Sequence, residues 1–207
     1  RRRFLGIIVS ETKRLSRLVN QVLDLAKIES GHADWGAEDV DVAELINEGL
    51  QVTEQLFRER GARVECDVPE RPCVVTVDRD RLMQVLVNLL SNAVKFAPAD
   101  EGIVKLRLSA ESGKCRVSVS DNGPGIPKAD QPHIFEKFHQ GSGGSDKPVG
   151  TGLGLPISRR IIEHFDGRIW VDSAPRNGAT FTFELPMKRN SDQRVGKTDV
   201  EESPDSG

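Results

Sequence analysis

Glycine is concentrated in one stretch of the sequence, at spacings that suit the binding of an anion. Eight of the 19 glycines lie between residues 123 and 154, and five of these eight form two runs, a first glycine run at residues 121–126 and a second glycine run at residues 150–155. Glycine allows positive φ angles and lets backbone N–H groups approach a ligand closely. Each run alone is equally consistent with a tight turn. The second run opens into a predicted helix, however, and a glycine-rich turn at a helix N-terminus is suited to phosphate.

Three polar side chains share one face of an otherwise apolar predicted helix over residues 78–96. Asn88 and Asn92 are four residues apart and Lys95 follows three residues later, so a helix aligns them in one stripe, here called the amide stripe. The stripe is either a solvated face or the wall of a polar site, because buried polar groups need partners. An amide oxygen suits Mg²⁺, and a lysine ammonium offers a point charge to phosphate. The pattern favours a phosphate site.

The glycine runs do not match the commonest nucleotide-binding motifs. No βαβ unit surrounds them and no Gly-Lys-Ser/Thr follows, which excludes a dinucleotide fingerprint and a P-loop. His-Arg-Asp and Asp-Phe-Gly are also missing, which excludes a protein-kinase fold. Between the runs, residues 134–140 predict a hydrophobic plug under a loop. The small, polar residues 141–147 predict a mobile lid over a ligand.

Hydrophobic periodicity supplies the elements that must position these groups. Helices are predicted over residues 4–30, 43–60, 78–96 and 152–165, and strands over 40–42, 63–68, 74–77, 103–109, 115–120, 169–173 and 179–185. This order predicts an α+β fold, a two-layer α/β sandwich with helices on one face of a mixed sheet.

The first helix carries a wide apolar stripe that suits a helix bundle, and Gly31 is a plausible C-cap. The stripe fits a helix packed on its own domain or a dimerisation helix. A polar linker over residues 32–39 contains nothing that resembles core, so we expect the helix to project from the domain that follows.

Composition excludes several classes of protein. The net charge of −3 leaves no basic field for nucleic acid, and no segment approaches the roughly 20 apolar residues of a membrane span, so no direct membrane contact is expected. Cys66, Cys73 and Cys115 are too few and too scattered for a disulfide framework or a zinc site, which suits a reducing cytosol. Residues 188–207 lack Leu, Ile and aromatic residues and are predicted to be disordered.

These motifs occur in the order that characterises a known family. Residues 40–187 resemble the catalytic, ATP-binding domain of sensor histidine kinases, which has the Bergerat-type fold of the GHKL superfamily. The matching segments are the N box at 88–96, the first glycine box at 121–125, the F box at 135–138, the second glycine box at 150–155 and the closing Gly-x-Thr at 178–180. Residues 1–31 resemble the second helix of the family's dimerisation and phosphoacceptor hairpin.

The resemblance implies that ATP and Mg²⁺ bind to this domain. Asp121 would accept the adenine amino proton, which selects ATP over GTP, and Thr180 would support the adenine site beside it. Asn88 would hold Mg²⁺, while Asn92 would contact the phosphates and Lys95 would neutralise them. The implied ATP-binding residues are Asn88, Asn92, Lys95, Phe96, Asp121, Gly123, Gly125, Ile126, Phe138, Gly150, Thr151, Gly152, Leu153, Gly154, Leu155 and Thr180. Among them, the glycines at 123 and 125 would let the protein backbone pass close to the adenine base. The glycines at 150, 152 and 154 would form the hinge that closes the lid on the phosphates.

Histidine marks the largest departure from the family. The phosphoacceptor histidine and its acidic neighbour belong to the first helix of the hairpin, and no such stretch occurs here, so no catalytic residue is assigned. The four histidines present are interpreted as ordinary surface or core residues: His32, His133, His139 and His164. Two milder departures are Ala97, where the family often has Ser or Thr, and Gln140, where it often has Arg.

The resemblance implies the C-terminal part of a bacterial sensor histidine kinase in the cytoplasm, with an inner-membrane anchor left open for the intact protein. The intact protein would pass the γ-phosphate of ATP to a histidine that this sequence lacks, and then to an aspartate on the receiver domain of a response regulator. It would form a homodimer through the N-terminal hairpin, and this fragment alone would not autophosphorylate. The alternatives are a non-catalytic ATP-binding regulatory module and another ATPase of the superfamily, of gyrase or chaperone type.

Overall fold

The computed structural model describes residues 2–139 and 150–188, which contain helices and strands in a mixed order. The helices are α1 (Arg2–Glu29), α2 (Val42–Arg60), α3 (Arg79–Phe96) and α4 (Gly154–His164). The strands are β1 (Ala37–Asp41), β2 (Arg63–Asp67), β3 (Val74–Asp78), β4 (Ile103–Glu111), β5 (Lys114–Asp121), β6 (Arg168–Ser173) and β7 (Ala179–Pro186). The predicted lid at 141–147, Gln140, and the predicted tail beyond Lys188 lie outside the described residues.

Five strands form the main sheet in the order β2-β4-β5-β7-β6, and β1 and β3 form a separate two-stranded ribbon. The β2–β4 pair is parallel and the other pairs of the main sheet are antiparallel, so the sheet is mixed, as predicted. Side chains alternate along a strand, and the apolar residues that β5 and β7 present to the helices, among them Val117, Val119 and Phe183, are buried. The helices pack on this apolar face, which confirms the two-layer α/β sandwich.

The sequence around α3 explains why this helix is long and well placed. Asp78 is its N-cap, and its Oδ1 accepts a hydrogen bond from the backbone N–H of Arg81 at 3.0 Å. Leu86, Leu89 and Leu90 are almost fully buried along the face that meets the sheet and the neighbouring helices. The apolar residues therefore fix the rotation of α3 about its axis, and this rotation determines where the amide stripe points.

The C-terminal half of α1 packs on the domain, so the prediction that this helix projects is wrong. Leu25 is 6% exposed, and the carboxylate of Asp24 forms an ion pair with Arg81 of α3 at 2.5 Å. Glu29 forms an ion pair with Lys137 at 2.7 Å. α1 ends at the predicted place, because Gly31 has a φ of 72° and follows the last turn as a C-cap.

The segment predicted as a polar linker also contributes to packing, because Trp35 stacks on His164 with ring centroids 3.8 Å apart. The guanidinium of Arg81 lies 5.8 Å from the centroid of the Trp35 ring. In addition, β1 begins at Ala37 and pairs with β3, so residues 37–39 of that segment belong to the ribbon. The sequence interpretation treated Trp35 as part of a polar spacer and therefore missed its contact with α4.

Two of the three cysteines are neighbours in the fold, contrary to the expectation that all three are scattered. Cys73 and Cys115 are fully buried and are joined as a disulfide, while Cys66 is a free, exposed cysteine. They meet because the chain after β7 bridges the ribbon and the β4–β5 turn, through the pairing of Val75 with Met187. That approach spans a separation of 42 residues, which local patterns do not reveal.

No helix within residues 2–139 and 150–188 has the combination of length and apolarity needed to cross a bilayer.

Candidate nucleotide site

The amide stripe of α3 faces the second glycine run, and the C-terminal end of the same helix meets the first, although these segments are far apart in the sequence. A Cβ atom added to Gly154 would collide with Oδ1 of Asn88, and one added to Gly150 would lie 3.1 Å from Nζ of Lys95. At the end of α3, a Cβ on Gly123 would lie 2.5 Å from the carbonyl oxygen of Phe96. The absence of side chains at these glycines therefore lets both runs approach α3 closely, so the fold brings the predicted site residues together.

The side chain of Asn88 extends from α3 and contacts one turn of α4. Its Nδ2 donates a hydrogen bond to Oγ of Ser158 at 2.9 Å, and its Oδ1 lies against Gly154, four residues earlier on the same helix. Nδ2 of Asn92 lies 3.5 Å from the same Oδ1, at the outer limit for a hydrogen bond. The Asn88 oxygen is thus held on the side of the second glycine run, where a metal bound to phosphate is expected to lie.

Gly154→Ala is expected to lower the free energy of unfolding by about 1–3 kcal/mol, the usual cost of overpacking, because Asn88 must move to admit the methyl group. Gly36→Ala is the matched control, since the nearest atom to its added Cβ would be 3.8 Å away. Urea unfolding of both variants measures the difference. Equal stability of the two variants would show that the packing of Asn88 on Gly154 is not tight.

The N-terminus of α4 is open to an anion. The helix has no side-chain cap and no acidic residue in its first turn, so its first N–H groups are not neutralised by a side chain there. Lys95 is half-buried nearby, and burial lowers the pKa of its ammonium because desolvation disfavours the charged form. No carboxylate in the described parts of the chain forms a salt bridge with Lys95, so a bound phosphate would supply the counter-charge.

Asp121 ends β5, at the edge of the site where the first glycine run begins. Its Oδ1 accepts a hydrogen bond from the backbone N–H of Gly123 at 2.8 Å. Burial raises the pKa of Asp121, and hydrogen bonds from the backbone N–H groups of Gly123 and Ala179 partly oppose that effect. The result is a half-buried acceptor that fits the predicted adenine contact.

The first glycine run is held against the turn between β6 and β7. The N–H of Gly178 donates to the carbonyl of Gly123 at 3.0 Å. Gly125 and Gly178 have φ angles of 73° and 69°, and an added Cβ would collide with backbone oxygens at both positions. These glycines are therefore needed for backbone conformation and close packing, beside any role in making room for a base.

Thr180 does not lie beside the Asp121 side chain, so this part of the prediction is wrong. Across the β5–β7 pair Asp121 faces Ala179, whereas Thr180 faces Ser120, with their hydroxyl oxygens 2.8 Å apart. Neighbouring residues on a strand point to opposite faces of the sheet, which places the Thr180 hydroxyl on the face away from the helices. The backbone of Ala179 is the part of β7 that contacts Asp121.

The second glycine run contacts the F-box segment through Phe138. The N–H of Phe138 donates to the carbonyl of Gly152 at 2.9 Å, and both residues have positive φ angles, 60° and 70°. The Phe138 ring is 60% exposed and remains available to a ligand. The Thr151 hydroxyl donates to Oε1 of Gln21 on α1 at 2.7 Å, a contact that sequence reasoning did not find.

Three of the predicted ATP-binding residues contribute mainly to the core. Leu153 is fully buried, while Leu155 and Ile126 are partly buried and pack against the main core cluster. Ser158 was missed as a site residue. Its only sequence signal is its position four residues after Gly154, which places both on one face of α4.

Residues 77–189 match the family model described as histidine kinase-, DNA gyrase B- and HSP90-like ATPase. The chain is 32% identical to sensor histidine kinase WalK of Bacillus subtilis (strain 168) over 192 residues, which cover 92% of this chain and 31% of WalK. It superposes on full-length ShkA in complex with AMPPNP with a TM-score of 0.77 and 32% identity, covering 90% of this chain and 38% of ShkA.

A second structural neighbour is the histidine kinase ThkA in complex with the response regulator TrrA, with a TM-score of 0.70 and 30% identity over 89% of this chain and 51% of that one. The chain therefore belongs to the histidine kinase-, DNA gyrase B- and HSP90-like ATPase family, and its relatives are sensor histidine kinases. It spans 31% of WalK, so it corresponds to one part of that longer protein.

Proposed function

We propose that this chain is the ATP-binding, catalytic part of a sensor histidine kinase. The observation that carries the proposal is the meeting of the amide stripe with the second glycine run, around a half-buried Lys95 that has no carboxylate partner among the described residues. The first glycine run lies at the C-terminal end of the same helix, against the Phe96 carbonyl. Phosphate is the anion that an uncapped helix N-terminus, a glycine-rich turn and an ammonium bind together. The proposed reaction transfers the γ-phosphoryl group of ATP to a histidine outside this sequence.

The proposed contacts are those that the resemblance implies for these residues. Asp121 accepts the adenine amino proton, while Asn92 and Lys95 contact the phosphates, with the N-terminus of α4 beneath them. Phe96 and Phe138, both partly exposed, flank the nucleotide. Phosphoryl transfer depends mainly on positioning and charge neutralisation, so these residues act by holding the nucleotide in line with the acceptor.

The residues present also fit Mg²⁺. The oxygen of the Asn88 amide faces the second glycine run, and an amide oxygen is a hard ligand that suits this ion. When bound, Mg²⁺ would neutralise charge on the phosphate oxygens. Asn88 is the one protein ligand that we assign, because Mg²⁺ usually keeps several waters and takes its other ligands from the substrate phosphates.

The proposed partners are a receiver domain and a second copy of the chain. The complex of ThkA with TrrA, a response regulator, supports the first. Four apolar side chains on α1 support the second, because they are 40–61% exposed on a helix that resembles half of a dimerisation hairpin: Leu15, Val19, Val22 and Leu23. A hairpin supplied by the intact protein would cover them.

Labelled phosphate transfer to a separate acceptor tests the proposed reaction. The chain is incubated with γ-labelled ATP, alone and with a separately produced phosphoacceptor hairpin from a related kinase. We expect acid-labile label on the hairpin and none on the chain. Label on one of the chain's four histidines would overturn the assignment of the acceptor to a missing segment. ATP binding with no transfer would favour a regulatory module, and steady phosphate release would favour an ATPase.

A further inference from the structure

We propose that Ser158 is a positioning residue, which orients the Asn88 amide so that its oxygen faces the metal that accompanies the nucleotide. This inference deepens the proposed function and depends on Mg²⁺ binding at Asn88. Ser158 is 2% exposed, and its Oγ accepts a hydrogen bond from Nδ2 of Asn88 at 2.9 Å. It lies on the second turn of α4, beneath the open N-terminus, and among residues 2–139 and 150–188 its hydroxyl forms a hydrogen bond with Asn88 alone.

The geometry fixes both ends of the Asn88 side chain against one turn of α4. Ser158 holds the nitrogen end, and Gly154, four residues earlier, leaves room for the oxygen end. A side chain of any size at 154 would displace the oxygen, and loss of the hydroxyl at 158 would leave the nitrogen without this partner. The pair therefore forms a cradle that fixes the place of the amide group against α4.

The orientation matters because the two ends of an amide do different chemistry. The oxygen accepts hydrogen bonds and binds cations, whereas the NH₂ group donates and repels a cation. A serine hydroxyl can both donate and accept, so Ser158 alone would tolerate a flipped amide. Asn92 favours the orientation described here, because its Nδ2 lies 3.5 Å from Oδ1 of Asn88 and would face a second NH₂ group if the Asn88 amide alone were flipped.

Ser158→Ala removes the acceptor for Nδ2 and leaves Asn88 free to sample orientations that turn its oxygen from the metal. We expect the affinity for AMPPNP in the presence of Mg²⁺ to fall about 3- to 10-fold, the effect of losing one hydrogen bond. The affinity measured without metal should stay the same, since in the described part of the chain the Ser158 hydroxyl bonds to Asn88, the residue assigned to the metal. This split distinguishes an effect on metal placement from a general loss of structure.

Two variants control the test. Ser158→Thr keeps the hydroxyl and should restore most of the Mg²⁺-dependent affinity. Ser118→Ala deletes a serine hydroxyl that is bonded to Thr182 on the opposite face of the sheet, 3.1 Å away, and should change neither affinity. Urea midpoints for all variants show whether each is folded.

The side-chain amide of Asn88 gives a second readout that does not depend on bound ligand. In ¹⁵N spectra its NH₂ signal is assigned by its disappearance in Asn88→Ala, and it should shift in Ser158→Ala and return in Ser158→Thr. Equal Mg²⁺ dependence in the wild type and Ser158→Ala, with an unshifted signal, overturns the role of Ser158. If the wild type itself shows no Mg²⁺-dependent affinity, the proposed metal site at Asn88 fails instead.

Discussion

Asp121→Asn is expected to weaken the binding of an ATP analogue by about 100-fold or more while leaving the chain folded. A site built to pair with a polar group rejects a mismatch strongly, because the polar groups are then left unpaired. In the asparagine variant the N–H of Gly123 would hold the remaining oxygen, as it holds Oδ1 in the wild type. The NH₂ group would then face the adenine amino group, so that two donors would oppose each other.

The stability of the same variant gives an independent check. Burial raises the pKa of Asp121, so the folded state binds its proton more tightly than the unfolded state does. The stabilisation that this proton provides is complete below the unfolded pKa and is lost as the pH rises through the folded pKa. At neutral pH the wild type therefore carries an unfavourable buried charge, and Asp121→Asn should be at least as stable.

Calorimetric titration and urea unfolding, the latter from about pH 3 to about pH 8, measure both effects. Asp172→Asn is the matched control, because Asp172 is an exposed carboxylate at the edge strand β6 that accepts a bond from Trp170. It should bind the analogue like the wild type. Unchanged affinity in Asp121→Asn, or a loss of affinity accompanied by unfolding, would contradict the assigned adenine contact.

Asn88→Ala has the second large effect, an expected loss of about 10- to 100-fold in Mg²⁺-dependent analogue affinity. The change removes the one amide oxygen assigned to the metal and opens a void beside Gly154 and Ser158. Losing the ligand itself should cost more than losing the Ser158 hydrogen bond that orients it, for which we expect a loss of about 3- to 10-fold.

Asn47→Ala provides the comparison for this second variant. Asn47 is an exposed asparagine within α2, so the same chemical change occurs on a helix away from the site. Its affinity should match that of the wild type with and without Mg²⁺. If Asn88→Ala still bound the analogue more tightly with Mg²⁺ than without it, Asn88 would not be the metal ligand. Another group would then have to hold the metal.

Local patterns in the sequence identified most elements of this fold. The N-cap Asp78, the C-cap Gly61 and the apolar periodicity of α3 lie within a few residues of the structures that they determine. The same locality explains the amide stripe, because three residues at helical spacing must share a face. Clustered glycines likewise indicated where backbone would approach a ligand.

The features that sequence missed depend on contacts between distant segments. Thr180 and Ala179 differ by one position, and only the register of β7 against β5 decides which of them shares a face with Asp121. Trp35 is a single aromatic in a polar segment, and its partner His164 is distant in the chain. Local periodicity carries no information about either pairing, because both arise from packing of the completed sheet and helices.

Calorimetric titration of the wild-type chain with AMPPNP and with the matching guanine analogue, each with Mg²⁺, tests the central claim most directly. The account predicts saturable binding of one AMPPNP per chain. It also predicts that the affinity for the guanine analogue is lower by at least about tenfold. The Asp121 carboxylate is an acceptor, and guanine has a carbonyl acceptor where adenine has its amino donor. No saturable binding of AMPPNP, or equal affinity for the two analogues, would contradict a site in which the amide stripe and the glycine runs hold ATP.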